Sequence, residues 1–228
     1  LPGGAHWRHG SGPGGAAGVL RRGFRGWFGP AADGTVASAR GGQTRALRTA
    51  TSNPGHVLWL GLLDLERGQR MADRLMQPDL FSGWGLRTLS TEHPAYDPYS
   101  YQRGSVWPHD TMIAAAGLRR YGRIEDAWRL IDGLLAAVTS FERVQMPELF
   151  CGLPRRHPGV PVPYRQANVP HAWAAGSIFQ AVRLLFGLEP DAPHPPPYPG
   201  PLRPPCVPHV NTGTSRCGLA PFNAASHP

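Results

Sequence analysis

Proline and glycine crowd the two ends of this chain, and neither residue is at home inside a helix or a strand. Proline lacks an amide donor and clashes with the preceding turn, while glycine loses the most backbone entropy on ordering. There are 29 Gly and 26 Pro in 228 residues, so their placement decides how much of the chain can pack. Residues 1–35 are Gly-rich and without apolar periodicity, and residues 189–228 form a Pro-rich tail that includes His194-Pro195-Pro196-Pro197. Both read as irregular or disordered by composition. The ordered domain is therefore expected over residues 36–188, long enough for one sizeable core.

Within that span helical patterns alternate with loops. Asn53-Pro54-Gly55 is a turn and helix-start signal, followed by Val57, Leu58, Leu60, Leu62, Leu63 and Leu65 at mixed three- and four-residue spacing. Gly68 is expected to interrupt, with Met71, Leu75 and Met76 on a second short helix that stops at Pro78. Asp110 stands where an N-cap belongs, before Met112, Ile113, Ala116, Leu118 and Tyr121, and Gly122 ends that helix. Ile124, Trp128, Ile131, Leu134, Leu135 and Val138 mark a fourth helix. Trp173, Ile178, Phe179, Val182 and Leu185 mark a fifth, from about His171 to Gly187. Strand signals are scarce, Thr35–Ala39 being the best, so the fold class is all-α, built of paired helices. The two long loops, Phe81 to Pro108 and Phe141 to Pro170, far exceed the usual 2–8 residues between packed helices. They are rich in aromatics, which marks them as a binding face.

The formal charge of +8 and isoelectric point near 10.2 raise nucleic-acid binding. Yet every basic residue is Arg, and the arginines are scattered in short pairs such as Arg119–Arg120, with no stripe interleaved with aromatics. No nucleic-acid partner is expected. Cys151, Cys206 and Cys217 fit neither a metal-ligand spacing nor a disulfide framework, and a reduced, cytoplasmic thiol set follows. No apolar run approaches the roughly 20 residues that span a bilayer, so no membrane partner is expected. There is no HExxH, GxSxG, P-loop or dinucleotide fingerprint, and neither metal nor cofactor is expected. His171 reads as a helix cap rather than a base.

The chemistry is concentrated in three places. Phe81 to Ser90 carries Trp84 and Arg87, and Tyr99 to Asp110 carries Tyr101, Trp107, His109 and Asp110. A pyranose has apolar C–H faces and a rim of hydroxyls, so it is held by stacking on aromatic rings and by Arg, His and Asp at the rim. Trp173, at the start of the fifth helix, joins this set. Trp84 and Trp107 fit equally well as core plugs of their loop. The third place is Met146 to Gly152, where Glu148 sits between Pro and apolar residues. Desolvation there raises a carboxyl pKa, which a glycosidase acid or base exploits. A loop-closing hydrogen bond or salt bridge is the other reading.

Several of these segments together resemble the C-terminal catalytic region of bacterial amylo-α-1,6-glucosidase-like proteins of the glycogen-debranching type. They are Thr51 to His56, Phe81 to Ser90, Tyr99-Ser100-Tyr101, Gly104 to Asp110, Pro147 to Gly152 and His171 to Gly176. The resemblance covers about residues 51–188. It implies an (α/α)₆ toroid, of which this chain would supply about half the ring, and α-glucan or an α-glucoside as substrate. It also implies an inverting mechanism with two carboxylates about 6.5–9.5 Å apart, and Glu148 matches the base. The acid of such proteins is an Asp far upstream without a counterpart here. Asp110 is a stand-in for it, a cap or a hydroxyl ligand. The chain is expected to be a C-terminal fragment whose partner is the missing N-terminal part of the same domain. The alternative is a non-catalytic carbohydrate-binding or structural remnant.

Overall fold

The computed structural model describes residues 18–19, 22–24, 39–40, 46–47, 49–156 and 158–188. Most of the Gly-rich start and all of the Pro-rich tail thus lie outside the described residues. Within the start, residues 18–19 and 22–24 are helical rather than irregular as expected, and Phe24 packs against the core. A short antiparallel pair, β1 (Ala39–Arg40) and β2 (Ala46–Leu47), precedes five helices and overlaps the expected strand only at Ala39. The helices are α1 (Pro54–Leu60), α2 (Leu65–Leu75), α3 (Pro108–Arg120), α4 (Ile124–Val138) and α5 (Ala172–Phe186). The all-α class is as expected, and helices packed side by side are consistent with part of a ring of helical hairpins.

The first two helices break earlier than the sequence suggested. α1 begins with Pro54 in its first turn and ends on Gly61, whose φ of +64° is left-handed. Asp64 then caps α2 by accepting from the Arg67 amide at 3.0 Å. Gly68 lies inside α2 and does not interrupt it. Its reason is packing: a Cβ there would stand 2.1 Å from Cε1 of Tyr121. The Tyr121 ring lies against the bare backbone, with its hydroxyl donating to Leu63 O at 2.8 Å and accepting from Leu63 N at 3.2 Å.

α3 is the hub, in contact with α1, α4 and α5. It buries Met112, Ala114, Ala115 and Leu118, and a helix buried on more than one face lets several neighbours approach. α4 adds Leu130, Ile131, Leu134 and Ala137. The core joins these to Leu58, Met71 and Phe150, each large apolar side chain contributing about 1.5–3 kcal/mol on full burial. α5 turns Ala174, Ala181 and Leu184 inward but leaves Phe179 and Phe186 exposed, at 77% and 54%.

The two long loops are stitched together. Val106 and Phe150 exchange backbone hydrogen bonds of 2.9 and 3.1 Å. Single-residue bridges extend this strip from Arg87 through Val106 and Phe150 to Pro163. The approach is so close that a Cβ on Gly152 would lie 1.7 Å from Gly104 O, so only glycine fits. This strip carries Trp107 and Glu148 together to the N-terminal turns of α3 and α5.

Candidate active site

Glu148 lies two residues before Phe150 in the stitched strip, flanked by Met146, Leu149 and Phe150, all buried. It is itself only 7% exposed. Its Oε1 accepts from the Tyr101 hydroxyl at 2.6 Å. Its Oε2 accepts from Asn168 Nδ2 at 2.8 Å and from the Asn168 amide at 3.4 Å. The Glu148 amide in turn donates to Asn168 O at 3.0 Å.

These donors reverse the expected electrostatics. The Tyr101 hydrogen bond above all holds the Glu148 carboxyl below the ordinary carboxylate range. Asn168 adds to the effect, against the upward push of burial. The sequence reading took desolvation to raise this carboxyl, with a loop-closing hydrogen bond as its alternative, and the hydrogen bonds prevail. Donors to the charged form favour that form, and an ionised carboxylate can take a proton rather than give one.

Next to Glu148 runs a connected line of rings. Tyr101 meets Trp107 edge-on at 4.9 Å and Tyr164 at a tilt at 5.9 Å. Trp107 meets His109 edge-on at 5.6 Å, and His109 lies flat on Trp173 at 4.0 Å. The last contact places the first turns of α3 and α5 side by side. The Trp107 indole N–H donates to Ser105 Oγ at 3.0 Å and to Tyr101 O at 3.2 Å, which fixes the ring. Burial pushes the His109 pKa down, against the pull of nearby Asp110, and so favours the neutral imidazole. Tyr101 and Trp173 remain exposed, which leaves the line open as a shelf. Rings offer the apolar faces that sugar C–H groups pack against.

Asp110 is the third residue of α3 rather than its cap. Trp107 takes the cap position, and Pro108 fills the first helical position, where no amide donor is needed. The Asp110 carboxylate is 3.4 Å from Nδ1 of His56 on α1. Burial is the foremost influence on it and pushes its pKa up, against the Ser52 hydrogen bond and the nearby His56. Its Oδ2 is sealed from solvent without a hydrogen-bond partner. Asp110 thus stands behind the shelf.

Two other expected sugar contacts are internal. Trp84 is a core residue at 4% exposure, and the Arg155 guanidinium lies 4.8 Å over its ring. Arg87 is 3% exposed, with Nε donating to Gly152 O at 2.6 Å and Nη1 to Pro78 O at 2.8 Å. Its guanidinium ties the loops together through Nε and Nη1. The sequence reading missed Asn168 and Tyr164. An Asn three residues before the His171 cap, in a Pro-rich loop, reads as ordinary turn chemistry. Two open surface depressions, one around Arg74 and Glu92 and one around Phe81 and Arg155, include neither Glu148 nor any ring of the shelf. Among the described residues no group of three His, Cys, Asp or Glu side chains is placed to hold a metal ion. No helix among them is long and apolar enough to cross a membrane.

Comparison with known proteins gives one family. The model described as "Mannosylglycerate hydrolase MGH1-like glycoside hydrolase domain" matches residues 33–150, just over half of the chain. Among solved structures, one similar chain is a GH63 mannosylglycerate hydrolase from Thermus thermophilus in complex with glucose. It is 20% identical, with a TM-score of 0.46 over 61% of this chain and 32% of that one. Another is an uncharacterized conserved protein from Thermus thermophilus, 19% identical, with a TM-score of 0.44 over 60% of this chain and 31% of that one. The chain therefore spans about a third of the length of these two structures. A comparison with curated proteins finds no match.

Proposed function

We propose, from the premise that this chain belongs to the mannosylglycerate hydrolase MGH1-like glycoside hydrolase family, that it is the base-bearing part of an inverting α-glycosidase. The observation that carries this reading is a buried carboxylate accepting three hydrogen bonds beside an open shelf of rings. With a sugar ring on Tyr101 and Trp107, Glu148 takes a proton from a water molecule. The water oxygen bonds to the anomeric carbon as the glycosidic bond breaks, and the departing oxygen receives a proton from the general acid on the opposite face. That second carboxyl stands about 6.5–9.5 Å from the first in such enzymes.

Asp110 holds its proton to higher pH, as an acid must, but its sealed carboxylate supports His56 instead of reaching a glycosidic oxygen. The acid is assigned to a part of the domain outside this chain. The exposed face of α5, with Phe179 and Phe186, then receives the remaining hairpins of the toroid. The substrate is an α-glycoside. The sequence resemblance favours a glucoside or an α-glucan, and the name of the matching family adds an α-mannoside as the second candidate.

The test is a panel of α-glucosides and α-mannosides presented to the chain, with binding followed by tryptophan fluorescence. Quenching or enhancement by at least one sugar, lost in Trp107→Ala, supports the shelf as a sugar site. No response to any sugar in the panel counts against it. Binding without hydrolysis by the complete domain would mark a non-catalytic remnant.

A further inference from the structure

The Glu148 carboxylate is not simply near the shelf; it is gripped from both sides by different segments. Tyr101, in the loop before α3, donates to Oε1, and Asn168, in the loop before α5, donates twice to Oε2. An ionised carboxylate offers about four lone-pair sites. These three donors leave room for one further donor, which is what a base that accepts a proton from water requires.

We infer that Tyr101 and Asn168 are positioning residues for Glu148, one for each carboxylate oxygen, which fix its rotamer and keep it ready to accept a proton. This rests on the glycosidase reading for its purpose but not for its geometry. The two residues act through Glu148 and differ in what else they do. Tyr101 also belongs to the shelf, through its edge contact with Trp107 at 4.9 Å, so a sugar lying on the ring and the base beside it share one support. Asn168 pairs with Glu148 through backbone as well as side chain. The other titratable groups around the carboxylate are Tyr164 from the same loop as Asn168, His171 at the cap of α5 and His109 on α3.

The clamp is tested on the chain as it stands, by carbon-13 NMR titration of its glutamate carboxyls. The Glu148 signal is identified by its loss in Glu148→Gln. In the native chain its midpoint falls below the ordinary value of about 4.3. Tyr101→Phe keeps the ring and removes only the hydroxyl, and Asn168→Ala removes only the amide. Each should raise the midpoint by about half a pH unit or more, because each withdraws a donor to the charged form. Should Tyr101→Phe fail to fold, Asn168→Ala, a change at an exposed side chain, decides alone. Unchanged midpoints in the folded variants overturn the inference, and so does loss of fold in both, which would make the pair structural. The titration needs no turnover, so a chain that binds no sugar but shows the shifts refutes the glycosidase reading and leaves the clamp standing.

Discussion

Arg87→Met separates two roles that the sequence leaves open for this arginine. If the residue ties loops together, its loss is a stability defect; if it binds sugar, its loss is an affinity defect. Arg87 makes two firm hydrogen bonds, to Gly152 O at 2.6 Å and to Pro78 O at 2.8 Å, with a weaker one to Asp79 O at 3.4 Å. Hydrogen bonds from a charged group contribute about 1.5–3 kcal/mol each, so the firm pair amounts to about 3–6 kcal/mol. Two effects offset part of this. Burial disfavours the guanidinium charge, a cost that the variant no longer carries, and Gly152 O keeps the Tyr96 hydroxyl at 3.2 Å. Methionine also retains the apolar stem. A net loss of about 3 kcal/mol follows from these competing effects. With a urea slope of about 1–3 kcal/mol/M, the unfolding midpoint should fall by roughly 1–3 M, followed by tryptophan fluorescence. Because Arg87 is buried and bonds to backbone oxygens, sugar binding should weaken only as far as the fold does. A midpoint unmoved while sugar binding disappears would refute the reasoning and restore Arg87 to the shelf.

Other substitutions probe the frame behind the site. Gly68→Ala places a methyl 2.1 Å from the Tyr121 ring. Overpacking costs about 1–3 kcal/mol, more than the gain of about 1 kcal/mol in helix propensity. The melting temperature should drop, and one at or above that of the native chain would contradict the packing account. Asp110 has its folded pKa raised, chiefly by burial, so its contribution to stability is fully present below the unfolded value and lost as pH rises through the folded one. Asp110→Asn should therefore flatten the acid part of the stability–pH curve and leave the chain at least as stable at neutral pH. A variant clearly less stable at neutral pH would show that the His56 pair outweighs the burial.

Most helix positions were legible because they rest on local rules: Asn53 and Pro54 at the start of α1, apolar spacing along α4, and His171 and Gly187 at the ends of α5. The end of α1 at Gly61 was not read. His171 caps its helix as read, accepting from the Ala174 amide at 3.3 Å. Gly68 was misread because a glycine that admits a distant ring looks, in sequence, like a glycine that breaks a helix. Glu148 and the rings Tyr101, Trp107, His109 and Trp173 were singled out in the sequence, and the structure brings them side by side. Which aromatic and basic residues face outward was not legible. Trp84 and Arg87 share a loop and a composition with Tyr101 and Trp107, and it is long-range packing, not local sequence, that buries the first two. Asn168 was invisible for the same reason, since its partner lies 20 residues away.

The account stands on Glu148 as the proton acceptor in glycoside hydrolysis, and replacing that carboxylate by its neutral amide tests this most directly. In the complete glycosidase domain carrying this segment, hydrolysis of the best α-glucoside or α-mannoside is compared between the native enzyme and Glu148→Gln. The amide keeps the size of the side chain, its oxygen able to face the Asn168 donors while its NH2 donates to the Tyr101 oxygen, so KM should stay within a few-fold. The rate, kcat, should fall by about 10²–10⁴, the usual contribution of a general base. Native kcat in Glu148→Gln, with the carboxamide confirmed by mass, would contradict the assignment.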